Sequence, residues 1–176
     1  MKCQSRWVLL GLLIAAGAAY ADGPRVLRAT LSGDHEVPPV STDARGELRL
    51  IIFPDRSTIQ WELTYSGLRA DATQAHIHFG QPAVNGGISV FFCSNLTTPA
   101  PPAGTQACPA REASLSGTFT VQSVIGPAAQ GIAAGDLDAL VDAVRSRLTY
   151  ANVHSTLFTS GEIRGQIGTG HGDHGH

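Results

Sequence analysis

The run Gln74-Ala75-His76-Ile77-His78-Phe79 holds the residues best suited to chemistry. In an extended chain, side chains two apart share a face, so His76 and His78 project together while Ala75, Ile77 and Phe79 pack inward. Two imidazoles held that close disfavour each other's protonation, and neutral imidazole is a ligand for copper, zinc or nickel. The pair is therefore either half of a metal site or two surface histidines without a ligand. In Tyr150-Ala151-Asn152-Val153-His154 the same alternation turns Asn152 and His154 away from Ala151 and Val153. His154 is thus a candidate third ligand, although spacing alone does not make the two segments neighbours.

Three other stretches carry polar groups of interest. In Gly161-Glu162-Ile163-Arg164-Gly165-Gln166-Ile167, Glu162 and Arg164 share a face. They either form an exposed ion pair, worth under about 1 kcal/mol, or point at a ligand. In Asp34-His35-Glu36-Val37-Pro38-Pro39 the residue ahead of proline is held extended, which makes a rigid corner. His35 or Glu36 either caps that turn, or reaches the metal or one of its ligands. The final run Gly170-His171-Gly172-Asp173-His174-Gly175-His176 has three histidines in six residues. Such glycine-spaced tracts are disordered and bind copper, zinc or nickel loosely. A truncated purification tag is the alternative.

The elements that must position these groups are short strands. Residues 46–53 place Leu48, Leu50 and Ile52 on one face. Residues 58–66 place Ile59, Trp61, Leu63 and Tyr65 opposite Gln60, Glu62 and Thr64. Pro54-Asp55-Arg56-Ser57 between them is a turn, so the two form a hairpin. Further strands are expected at 26–32, 73–79, 88–93, 116–121, 151–155 and 162–167. Glycine (20) and proline (10) are frequent enough to punctuate many such strands. The expected fold is all-β, a Greek-key sandwich or barrel. One amphipathic helix interrupts it near 136–149: Leu137, Leu140, Val141, Val144 and Leu148 recur at helical spacing, with acids at the start and arginines towards the end.

Lys2 and Arg6 precede a 13-residue apolar run from Trp7 to Ala19, and Ala19-Tyr20-Ala21 closes it. This is the pattern of an export signal with a small-residue cleavage site. A bilayer span takes about 20 residues, so a retained anchor is the weaker reading. Cys3 precedes the apolar run and cannot be the lipid-bearing cysteine of a lipoprotein. The division expected is a signal peptide at 1–21, one domain at 22–168 and a disordered tail at 169–176. Cleavage leaves ten arginines, no lysine and 14 carboxylates, a net charge of −4. Nucleic acid and anionic lipid, which need a basic stripe, are excluded as main partners. Cys93 and Cys108 are the cysteines that remain. In an exported chain an even pair reads as one disulfide, with two reduced thiols as the alternative. Asn95-Leu96-Thr97 matches a glycosylation acceptor, relevant only in a eukaryotic host.

Four ordered stretches resemble the CHRD (chordin-type) domain: the Gly33…Glu36-Val37-Pro38-Pro39 corner, Gly67-Leu68 before His76-Ile77-His78, Tyr150-Ala151-Asn152-Val153-His154, and Gly161-Glu162-Ile163-Arg164-Gly165. The likeness covers about residues 26–168. It implies a secreted protein and an immunoglobulin-like or Greek-key β architecture, and says little about activity. A fainter likeness joins Gly67-Leu68…His76-Ile77-His78 to the Gly-Leu…His-Val-His segment of copper–zinc superoxide dismutases. That resemblance implies copper ligation by His76 and His78, with His154 as the ligand from a later strand and Arg164 as the residue steering an anion. No histidine lies between His78 and His154. The bridging and zinc-binding histidines of those enzymes therefore have no counterpart, and a copper-only site is the form this sequence can support.

The reading that follows is a secreted or periplasmic copper-binding protein, with copper preferred over zinc, held by His76, His78 and His154. It would buffer, deliver or use the metal in redox chemistry, with Glu36, Glu162 and His35 as nearby supporting groups. A superoxide dismutase-like enzyme, with small anions or superoxide as ligands and Arg164 steering them, is one alternative. A metal-free extracellular interaction or adhesion module, using the loop closed by Cys93 and Cys108, is the other.

Overall fold

The computed structural model describes residues 23–169 of the chain. The expected export signal and the histidine-rich tail from Gly170 both lie outside the described residues. Eight strands follow in order: β1 (Arg25–Ser32), β2 (Arg45–Ile52), β3 (Ile59–Ser66), β4 (Ala72–Phe79), β5 (Gly87–Ser94), β6 (Ala113–Phe119), β7 (Thr149–Ser155) and β8 (Ile163–Gln166). One helix, α1 (Leu137–Arg145), lies between β6 and β7.

All the strands join one antiparallel sheet in the order β5-β4-β7-β8-β1-β2-β3-β6. The segments β1 to β3 form a meander, and β4–β5 and β7–β8 are hairpins on its far side. Long connections of Greek-key kind bring β7 beside β4 and β6 beside β3. The sheet curls until edge strands β5 and β6 approach each other, nearly closing a barrel. Aromatic rings bridge that gap from inside: Trp61 on β3 meets Phe92 on β5 at 5.0 Å, and Phe92 meets Phe119 on β6 at 5.4 Å.

Strict alternation builds this wall. Along β3 every second residue is buried, Ile59, Trp61, Leu63 and Tyr65 facing in and Gln60, Glu62 and Thr64 facing out. Leu48, Leu50 and Ile52 do the same on β2. On β4, β7 and β8 the inward set is Ala75, Ile77, Ala151, Val153 and Ile163, all part of the same core. The other face of these three strands is buried as well, so they are covered on both sides.

The helix seats Leu137, Leu140, Val141 and Val144 against the core. Asp136 caps it, its side chain accepting from the Ala139 N–H at 2.9 Å. The helix ends before position 149: Arg147 takes a φ of 60°, and Leu148 is exposed rather than part of the apolar stripe. Cys93 and Cys108 form the disulfide. By loop-closure entropy a bridge over 15 residues stabilises by about 3 kcal/mol. Beside it, Asn95 of the Asn-Leu-Thr motif has its amide committed to the backbone. Its nitrogen donates to Ala72 and Cys108 carbonyls, and its oxygen accepts from the Cys108 N–H.

Candidate metal centre

The antiparallel register sets the site. His76 on β4 pairs with Asn152 on β7, and Asn152 with Arg164 on β8; one step along, His154 lies opposite Gln74. Alternation puts His76, His78, Asn152, His154 and Arg164 on the face turned away from the barrel core. Loops cover that face, so the histidines are not surface residues: His76 is 0%, His154 6% and His78 8% exposed.

The three rings converge. His76 Nδ1 lies 3.3 Å from His154 Nε2, and one nitrogen from each of the three histidines lies within 4.8 Å of the others. Two of the rings have a defined tautomer. A carbonyl oxygen only accepts, so His78 Nδ1–H donates to Gly86 O at 2.9 Å and His154 Nδ1–H donates to Thr159 O at 2.9 Å. His78 therefore keeps its Nε2 lone pair free, while that of His154 accepts from His76 Nδ1–H in the metal-free protein. The bond from Nδ1–H to a carbonyl is the outer hydrogen bond that orients imidazole ligands in metal sites.

Aromatic neighbours hold the rings from the sides. Phe91 meets His76 edge-to-face at 4.4 Å, and Tyr150 stacks parallel to His78 at 4.8 Å. Burial first, then the neighbouring His154 and His78, pushes His76 down to about 2. Burial pushes His78 to about 4 and lowers His154. All three are neutral at physiological pH, the form that ligates a metal.

Two observations test whether a metal ion suits these residues. Two nitrogens each about 2.0–2.1 Å from one ion at a near-tetrahedral angle sit about 3.3 Å apart, which is the hydrogen-bonded His76 Nδ1–His154 Nε2 separation; the three-nitrogen set spans up to 4.8 Å, so the rings close in on an ion as it binds. In addition, His76 Nε2 and His78 Nε2 are buried without a hydrogen-bond partner. Leaving buried polar nitrogens unpaired costs about 1–3 kcal/mol each, which an ion at His78 Nε2 relieves. The residues fit.

The remaining candidates divide. Glu36 is buried, its carboxyl packed against Gly161, where a Cβ would collide with it and φ is +128°. Burial raises Glu36 to about 7, opposed by the charge of Arg164. Asn152, opposite His76 in the register and 3% exposed, lies on the same strand face as the histidines. Glu162 is fully buried but turns the other way, accepting from Thr42 Oγ1 at 3.0 Å and the Arg69 N–H at 2.8 Å. Arg164 is 2% exposed and spends its donors on Gln81 O, Val84 O and Asn85 Oδ1, with its guanidinium 3.4 Å from the Tyr150 ring centre. No exposed Glu162–Arg164 pair forms. His35 is exposed at the end of a short 3-10 turn. Asn152, Tyr150 and Phe91 belong to the surroundings of the site without having been sequence candidates. Asn152 had a signal, since it shares a strand face with His154. The Gly86 and Thr159 carbonyls had none.

A Greek-key β domain carrying a buried cluster of three imidazoles on the loop-covered side of its wall is the class these observations define. The CHRD domain family model matches residues 27–167, and the chain belongs to that family. Comparison with curated proteins and with solved structures finds no significant match. Two glycines of the stretches that carry the resemblance have visible work in this fold. Gly161 makes room for the Glu36 carboxyl, and Gly165 lets β8 approach β1 so closely that a Cβ would strike Thr30 O.

Proposed function

We propose that this is an exported copper-binding protein whose site is His76 Nδ1, His78 Nε2 and His154 Nε2, and that it buffers or delivers the metal. The observation that carries this is the meeting of three neutral, buried imidazoles, two with their outer nitrogens already bound to carbonyls. Three nitrogen ligands suit copper, and zinc is the weaker alternative. Bound copper supplies a redox couple and open coordination positions. The chain itself contributes the orientation of the rings, the exclusion of water by the covering loops, and imidazoles that need lose no proton near neutral pH. The disulfide supports an oxidising compartment, secreted or periplasmic.

Holding is favoured over superoxide turnover by the state of Arg164. Steering an anion calls for an accessible guanidinium, whereas this one is buried and bound to three loop acceptors. Metal analysis and Cu(II) electron paramagnetic resonance on a chain ending at Gly168 test the proposal. One nitrogen-ligated copper per chain, lost in His154→Ala, is the expected result. An unchanged signal in that variant means incidental surface binding and overturns the three-ligand site, and no bound copper at all leaves the metal-free interaction module. A superoxide assay on the copper-loaded protein then separates a carrier, which shows no turnover, from a dismutase.

A further inference from the structure

We infer that Arg164 is a positioning residue: it clamps the loop between β4 and β5 so that the Gly86 carbonyl takes the Nδ1 proton of His78 and leaves Nε2 as the ligating nitrogen. Its consequence for metal affinity rests on the three-imidazole reading; the clamp itself does not.

Residues 81–85 of this loop are exposed, so no core packing fixes them. The ends of the loop are tied independently, by Gly80 N–H to Leu148 O at 2.8 Å and Gly87 N–H to Gln130 Oε1 at 2.7 Å. The middle depends on Arg164, whose guanidinium reaches from β8 to Gln81 O (3.3 Å), Val84 O (2.8 Å) and Asn85 Oδ1 (3.1 Å). Asn85 passes the tie on, donating to Val37 O at 3.1 Å in the corner that carries Glu36. Gly86 is the next residue. Its N–H donates to the Tyr150 hydroxyl at 3.2 Å, and its carbonyl accepts from His78. Tyr150 also stacks on His78 and meets the Arg164 guanidinium, so one ring braces both ends of the clamp. Arg164 thus sets which nitrogen of His78 is free without touching His78. A planar guanidinium with five donors can hold three acceptors at once, and an ammonium cannot match that geometry.

The test reads the tautomer directly, in the metal-free full-length protein, by two-bond proton–nitrogen correlation spectra of the histidine rings. In the unmodified protein His78 and His154 are both expected as the pure Nδ1–H form. In Arg164→Gln the His78 nitrogen shifts are expected to move towards tautomer averaging, and Arg164→Lys restores them in part. His154, whose carbonyl partner lies in a different loop, is expected to stay where it is. Asn85→Ala, at an exposed loop position, should move His78 in the same direction by less, and it carries the test if Arg164→Gln does not fold. The Cu(II) affinity of the Arg164→Gln protein, measured against a competing chelator, is expected to fall at least tenfold, the usual cost of losing an outer partner of a metal ligand. A folded variant with unchanged His78 shifts overturns the inference. So does a joint movement of His78 and His154, which would mean general loosening. Should the unmodified protein bind no Cu(II), the metal reading fails while the tautomer spectra still decide the role of Arg164.

Discussion

Glu36 is the residue at which charge and fold are most directly coupled. Its folded carboxyl holds a proton up to about 7, against 4.5 for the free group. Below pH 4.5 both states are protonated and nothing is lost. As pH rises from 4.5 to 7 the unfolded chain ionises first, so stability falls, and the deficit persists above 7. At 1.36 kcal/mol per unit, the deficit is on the order of 3 kcal/mol. Glu36→Gln should therefore be more stable than the parent at pH 8 and nearly equal to it at pH 4, by urea denaturation of metal-free protein. An identical pH slope in both proteins would count against a buried, proton-holding Glu36. Next to it, Gly161→Ala forces a Cβ into that carboxyl at a φ of +128°. A loss of about 2 kcal/mol or more is expected, read as a fall in Tm. At this scale the sequence was informative where period two applies, as with His76, His78 and His154 on their strands. It was silent on burial. The same alternation fits a solvent-facing pair, and it is the 80–86 and 156–162 loops, which carry no periodicity, whose Gly86 and Thr159 carbonyls cover His78 and His154.

The elements were legible almost completely, because each strand carries its own alternation and is bounded by turn residues. The helix was legible from its apolar spacing and its Asp136 start, and its end was misplaced because Leu148 sits at the right spacing while the chain has already turned at Arg147. The order of strands was not legible. Nothing local in β4 or β7 specifies that they pair across some 70 intervening residues; that pairing comes from the closure of the whole sheet. Two predictions belong here. Asp136→Ala removes the bond to the Ala139 N–H and should cost about 1 kcal/mol in denaturant unfolding. Reduction of Cys93–Cys108 should cost about 3 kcal/mol, read as a lower denaturant midpoint.

For the molecule as a whole, the barrel is the frame and the loop-covered outer face of β4, β7 and β8 carries the candidate site. Buried polar atoms without partners gather there, among them Gln74 Oε1, His76 Nε2, His78 Nε2 and Asn152 Oδ1. A core alone does not require such a face, and an imidazole-held ion explains the unpartnered His78 Nε2. If Cu(II) binds only the folded chain, free copper at a hundred times Kd should stabilise it by about 2.7 kcal/mol, an increase in Tm that a chelator reverses. Diffraction from crystals of copper-loaded protein, recorded on both sides of the copper absorption edge, tests the central claim most directly. One anomalous peak within bonding distance of nitrogens from His76, His78 and His154 is the predicted result. Its absence there, or a peak found only on histidines elsewhere in the chain, would contradict the account.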